Sequence, residues 1–184
     1  MARDEDVSDH SSLPNEVGCV RVSGMSKVWQ YMVICWALVC GCGVVAEEEK
    51  APVAQALTQA KILHCDVNLN ADYYIYIQSA GWCAPCKREM AELVKIYPEM
   101  KAQNVELIVV CQDGTEEEAA AYLKSFSSPF PGVHFKAADA LPGFTLSRTV
   151  PHATVVNKQG EVIAKGHGSL ARKWLQIITA DQED

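Results

Sequence analysis

Apolar residues are spread unevenly along this chain. Residues 28–46 form a nearly unbroken apolar run, VWQYMVICWALVCGCGVVA, in which Gln30 is the interruption. After Glu47 the pattern breaks into shorter segments with recognisable periods. Residues 51–63 are rich in helix formers and predict a helix. Residues 73–78 (YYIYIQ) combine aromatic and β-branched side chains and predict a strand. Residues 85–100 predict a long helix, because a proline in the first turn forfeits no hydrogen bond. Residues 105–111 (VELIVVC) read as a buried strand. Thr115 and Glu118 have capping-box spacing and open a helix to about Phe126. Residues 127–150, with Pro129, Pro131 and Pro142, read as irregular. Residues 153–157 and 161–165 form a hairpin around Lys158-Gln159-Gly160, and residues 170–179 close the chain as a helix. The order α-β-α-β-α-β-β-α predicts an α/β sandwich.

The run at 28–46 follows Lys27 and ends at Glu47-Glu48-Glu49-Lys50. A basic flank, an apolar stretch and small residues before a polar region are the parts of a secretory signal. Val44 and Ala46 suit cleavage after Ala46. Val39-Cys40-Gly41-Cys42 resembles a bacterial lipobox, which would leave a lipidated Cys42. Uncleaved, about 20 apolar residues just span a bilayer and make an anchor. All three outcomes place the rest of the chain in the periplasm or otherwise outside the cytoplasm. The first 24 residues carry Asp4, Glu5, Asp6, Asp9 and Glu16 against Arg3 and Arg21, the wrong charge for the start of a signal. Met25-Ser26-Lys27 makes a better start, so translation is expected to begin there. The expected organisation is an upstream segment over 1–24, a signal peptide or membrane anchor over 25–46, and one domain over 47–184.

Composition narrows the function classes. The 184 residues carry a formal charge of -7, and Lys and Arg nowhere cluster. That disfavours nucleic acid or an anionic membrane surface as the main partner. Of eight cysteines, Cys65, Cys83, Cys86 and Cys111 fall in the expected domain, too few for a disulfide-stapled scaffold. Cys83 and Cys86 have C-x-x-C spacing at the start of the long predicted helix. Three chemistries use that spacing: a redox-active dithiol, a structural disulfide, and half of a zinc site. Zinc needs a second ligand pair, and the chain has no other C-x-x-C and no H-x-x-x-H. Redox chemistry is the favoured reading, with no metal and no cofactor.

A strand, then Gly81-Trp82-Cys83-Ala84-Pro85-Cys86-Lys87, then a helix, resembles the active-site signature of the thioredoxin superfamily. Thr149-Val150-Pro151-His152-Ala153-Thr154-Val155-Val156, followed by the turn at 158–160, resembles that family's cis-proline loop and hairpin. The Cys86-Lys87-Arg88-Glu89 continuation is most similar to the exported TlpA/ResA-like branch, with tryparedoxin- and nucleoredoxin-like proteins close behind. The resemblance implies a three-layer α/β/α sandwich with a central mixed sheet and a thiol–disulfide oxidoreductase acting on protein thiols and disulfides, with a membrane or periplasmic redox partner. It implies a cis bond before Pro151, which brings the Val150 backbone beside the cysteines to pair with an extended substrate. Trp82 flanks that surface, and His152 either faces substrate, tunes the thiolate or is an ordinary half-exposed strand histidine.

The chemistry assigns roles within the signature. A thiolate attacks a disulfide, and a helix N-terminus favours that anion, so Cys83 is the expected nucleophile and Cys86 the resolving thiol. Counted at about 100° per residue from Cys86, Glu89 falls in the apolar arc with Met90, Leu93, Val94, Ile96, Tyr97 and Met100. A carboxylate there is expected to be partly desolvated and suited to exchanging protons with the cysteines. Thioredoxin itself carries a buried aspartate six residues before its first cysteine, where this chain has Ile77. Cys65 and Cys111 are expected at opposite ends of the sheet as buried thiols without a role. The rival class is a binding or scaffold module in which Cys83–Cys86 is a permanent structural disulfide.

Overall fold

Seven residues buried along their whole length, Tyr73–Ser79, form β1, the middle strand of a five-stranded sheet ordered β3-β2-β1-β4-β5. The computed structural model describes residues 52–183. The run at 28–46 with Cys42, the acidic segment before it and the boundary at 47 lie outside the described residues. β2 (Val105–Cys111) pairs parallel with β1, Tyr73 opposite Val105 and Ser79 opposite Cys111. β3 (Gly132–His134) pairs parallel with β2. β4 (His152–Asn157) runs antiparallel to β1, with His152 opposite Gln78, and β5 (Val162–His167) antiparallel to β4. The sheet is mixed, as expected.

Helices cover both faces. On one side Ile75, Ile77, Leu107, Val109, Ala153 and Val155 meet α2 (Ala84–Ala102), α3 (Glu116–Ser125) and α5 (Trp174–Glu183). On the other side Tyr74, Tyr76, Ile108 and Val110 pack under α1 (Pro52–Gln59) and a short α4 (Phe135–Ala138). A strand whose side chains are apolar on both faces needs such a double cover, which explains the near-continuous hydrophobicity of β1 and β2. The α2 surface divides as the helix count predicts. Met90, Leu93, Tyr97 and Met100 are buried, while Lys87, Arg88, Glu92, Lys95 and Glu99 are exposed. Thr115 and Glu118 form the predicted capping box at the start of α3.

Four expectations change. Residues 127–150 hold β3 and α4, because three residues after Pro131 are too few to show a strand period and gain their order from β2. The first helix stops at Gln59 rather than continuing to 63. The last begins as a 3-10 turn over Gly168–Lys173 and is α-helical only from Trp174. Cys65 is exposed, not buried, while Cys111 is fully buried. Cys65 adopts φ 52°, in the left-handed region, just after the isolated bridge that His64 makes with Gly132.

The end of the sheet away from Cys83 has its own anchor. Glu106 is wholly buried at the start of β2. Its carboxylate accepts hydrogen bonds from Tyr97 Oη at 2.5 Å, Lys101 Nζ at 3.0 Å, and the backbone N–H of Asn68 at 2.7 Å. Satisfying a buried charge this fully is what makes its burial tolerable. The bonds lock the C-terminal half of α2 onto β2.

Candidate active site

The site grows from the point where β1 stops. Cys83 N donates to Ala80 O at 3.1 Å, closing a tight turn, and Cys83 is the N-cap of α2. Its Sγ accepts from the Cys86 backbone N–H at 3.2 Å, so it occupies the place an oxygen cap takes elsewhere. Cys83 and Cys86 are joined by a disulfide with their Cα atoms 5.2 Å apart. Cys86 is completely buried, and Cys83 retains 5 % of its surface. Pro85 lies at the start of the helix, where no intrahelical partner is lost.

The Val150–Pro151 peptide is cis, and the Val150 carbonyl lies 3.7 Å from Cys83 Sγ. Pro151 is held from behind, its carbonyl accepting the Gly168 N–H at 2.9 Å. Trp82 stands out at 69 % exposure, and its indole N–H reaches Gln112 O at 3.4 Å. His152 follows the cis-proline half-buried, with Nδ1 enclosed and without a partner among the described residues. Desolvation, with Lys165 and His167 nearby, holds its imidazole below the usual histidine range. Cys111, at the end of β2, has its thiol pushed far up by burial and by Asp113.

Glu89 is 8 % exposed, inside the apolar face where the helix count puts it. It is not alone there. Arg172 Nε donates to Glu89 Oε1 at 2.8 Å from the 3-10 turn before α5. The Arg172 side chain is about half exposed, so the pair joins a buried carboxyl to a guanidinium group at the water boundary. A cleft of about 540 Å³ opens there, lined by Pro85, Arg88, Glu89, Pro151, His167 and Arg172. The structure thus brings Cys83, Cys86, Trp82, Val150 and Pro151 together, with Glu89 on the adjoining cleft and His152 next along β4. Sequence reasoning misses Arg172, 83 residues from Glu89, because nothing local distinguishes it from a solvated helix charge. It also misses Asp113, buried after β2, whose Oδ1 accepts the Gly81 N–H at 2.9 Å. Among the described residues, no three His, Cys, Asp or Glu side chains converge as metal ligands do.

A family model described as Thioredoxin-like matches residues 70–162, just over half of the chain. The chain belongs to the thioredoxin-like family. Among relatives of this thioredoxin-like chain, a thiol-disulfide oxidoreductase ResA of Bacillus cereus is 27% identical over 95 residues, covering 52% of this chain and 54% of that protein. The protein of that name from Oceanobacillus iheyensis is 30% identical over 91 residues, covering 50% and 47%. The chain therefore spans about half the length of the curated relatives it matches. Tryparedoxin I from Crithidia fasciculata superposes with a TM-score of 0.50 at 19% identity, over 67% of this chain and 90% of that one. A putative thiol:disulfide interchange protein DsbE from Chlorobium tepidum gives 0.50 at 18% identity, over 60% and 79%. Both show the thioredoxin-like fold.

Proposed function

We propose that the domain is a thiol–disulfide oxidoreductase exchanging disulfides with protein thiols through Cys83 and Cys86. The observation that carries this reading is a disulfide at the N-terminus of α2 with the Val150 carbonyl, ahead of the cis-proline, 3.7 Å from Cys83 Sγ. In the reduced form, unpaired N–H groups of the first helical turn favour a thiolate on Cys83. Cys83 keeps a trace of exposure and Cys86 none, so attack on an outside disulfide falls to Cys83. Its sulfur bonds to one substrate sulfur, the substrate S–S bond breaks, and the other substrate sulfur leaves as a thiolate that takes up a proton. The Cys86 thiolate then attacks Cys83 Sγ, re-forming the Cys83–Cys86 bond and releasing the second substrate thiol. Two electrons pass from the dithiol to the substrate, and the reverse sequence oxidises a substrate dithiol.

Val150, Pro151 and Trp82 form the substrate surface, with the Val150 backbone pairing with an extended peptide. His152 tunes its edge. Glu89, one turn beyond Cys86, exchanges the proton that Cys86 gains or loses, and Arg172 holds it in place. The run at 28–46 carries the domain out of the cytoplasm, as a cleaved signal, an anchor or a lipidated Cys42, to meet a membrane or periplasmic redox partner. No helix of the described residues is long and apolar enough to cross a membrane.

The test is trapping. Cys86→Ser loses the resolving attack and is expected to accumulate a mixed disulfide on Cys83, while gel-shift alkylation shows the wild-type pair cycling between dithiothreitol and oxidised glutathione. A pair that resists reduction, with nothing captured on Cys83, would establish the scaffold alternative.

A further inference from the structure

Gln78 is a polar residue of β1 whose placement the apolar core does not explain. It is fully buried, on the sheet face shared with Tyr74 and Tyr76, where an unsatisfied amide is costly. Both ends of its amide are engaged instead. Oε1 accepts the Ser147 backbone N–H at 2.7 Å and Gln112 Nε2 at 2.9 Å, and Nε2 donates to Thr145 O at 2.8 Å. A backbone donor and a backbone acceptor fix which way the amide points. Gln112 extends the clasp. Its N–H donates to Ser79 O at 2.8 Å, its carbonyl receives the Trp82 indole, and its Nε2 also reaches Ser147 O at 3.4 Å.

The segment held this way leads directly into the cis-proline. Ser147 Oγ accepts the Thr149 N–H at 3.2 Å, and the next residue, Val150, presents its carbonyl to Cys83. The two cysteines and the edge that meets substrate come from parts of the chain 67 residues apart. Gln78 is where they are tied together.

We propose that Gln78, paired with Gln112, is the positioning residue that fixes the Thr149–Val150 edge over the disulfide, and so makes the site select extended peptide disulfides over small ones. This rests on the exchange activity proposed above. A small disulfide needs only Cys83, whereas a peptide also needs the Val150 edge at the right height. Losing the clasp therefore penalises the peptide alone.

Gln78→Met keeps length and approximate volume and removes all three bonds. The reduced full chain is assayed with a disulfide-bonded peptide and with hydroxyethyl disulfide, and amide hydrogen exchange is followed in the same variant. The expected result is a loss of about tenfold in kcat/KM for the peptide, which is about 1.4 kcal/mol of transition-state stabilisation. The rate with hydroxyethyl disulfide is expected to hold within about twofold, and exchange at Ser147 and Thr149 to accelerate while β1 and β2 stay protected. Equal losses on both disulfides, or no loss on either, overturn the proposal. If Gln78→Met fails to fold, Gln112→Met decides by the same split. It removes the bonds of Gln112 Nε2 to Gln78 Oε1 and Ser147 O and leaves those of Gln78 to the Ser147 N–H and Thr145 O, so a smaller peptide-only loss is expected. Should the wild type react with neither disulfide, the exchange activity itself is wrong. Amide protection in the variants then judges the clasp alone, and unchanged protection at Ser147 and Thr149 refutes it.

Discussion

Arg172→Met removes the guanidinium from Glu89 and keeps most of the apolar stem. With charge centres at about 4 Å and an effective dielectric near 20, the attraction is roughly 4 kcal/mol before any cost of desolvation. Two facts reduce it. Glu89 is almost wholly removed from water, which opposes its charge, and Arg172 is half exposed, so solvent screens its side of the pair. A coupling of about 1–2 kcal/mol is the expected remainder, between that of a surface pair and that of a buried one. A double-mutant cycle isolates it: wild type, Arg172→Met, Glu89→Gln and the double variant, each unfolded in urea near neutral pH. Arg172→Met alone should be the least stable of the four, because it leaves an ionisable carboxyl buried without its cation. Glu89→Gln should partly rescue it, since a neutral amide costs less to bury. The same four proteins, assayed for exchange across pH, separate structure from chemistry. Glu89→Gln should slow turnover and alter the pH–rate profile, whereas Glu92→Gln on the exposed face should leave it unchanged. A coupling indistinguishable from zero, with pH–rate profiles identical to wild type, refutes both the pairing energy and the proton-exchange role of Glu89.

Iodoacetamide should label Cys83 fastest in the reduced protein. Cys65 should follow slowly and more readily at alkaline pH, because residual desolvation and the nearby Asp66 and Glu106 raise its thiol, and Cys111 should react only on unfolding; mass spectrometry of timed digests reads the order. Gly168→Ala places a methyl 2.6 Å from Pro151 Cβ, so a loss of about 1–3 kcal/mol in stability is expected, with slower peptide exchange, by urea unfolding and kinetics. His152 has a folded value depressed below its ordinary 6.5, so the native state binds fewer protons than the unfolded chain. Stability should therefore fall as pH drops through and below about 6.5, and His152→Gln should flatten that part of the urea-midpoint profile.

The parts legible in the sequence are those whose physics is local. β2 is visible end to end in VELIVVC, and the capping box of α3 in Thr115 and Glu118. The burial of Glu89 follows from helix periodicity alone. The cis bond before Pro151 is legible only through resemblance, since most X-Pro bonds are trans. What escapes is what distant chain supplies. Arg172 reaches Glu89 across 83 residues, and Gln78 looks like the polar end of an apolar strand until Ser147 and Thr145 arrive beside it. Three residues of β3 carry no period of their own. The exposure of Cys65 depends on a left-handed turn that its neighbours do not announce.

The burial of Cys111 also bears on how this protein wears out. Folded, it is in register with Ser79, the last residue of the strand that leads into Cys83, yet it has no access to solvent. Once the end of β2 opens, burial no longer suppresses its thiol, and it becomes an ordinary nucleophile beside a reactive disulfide. Heating then opens a route for exchange of the Cys83–Cys86 bond onto Cys111. Loss by that route is set by the rate at which β2 frays rather than by equilibrium stability, whereas the exposed Cys65 needs no such opening.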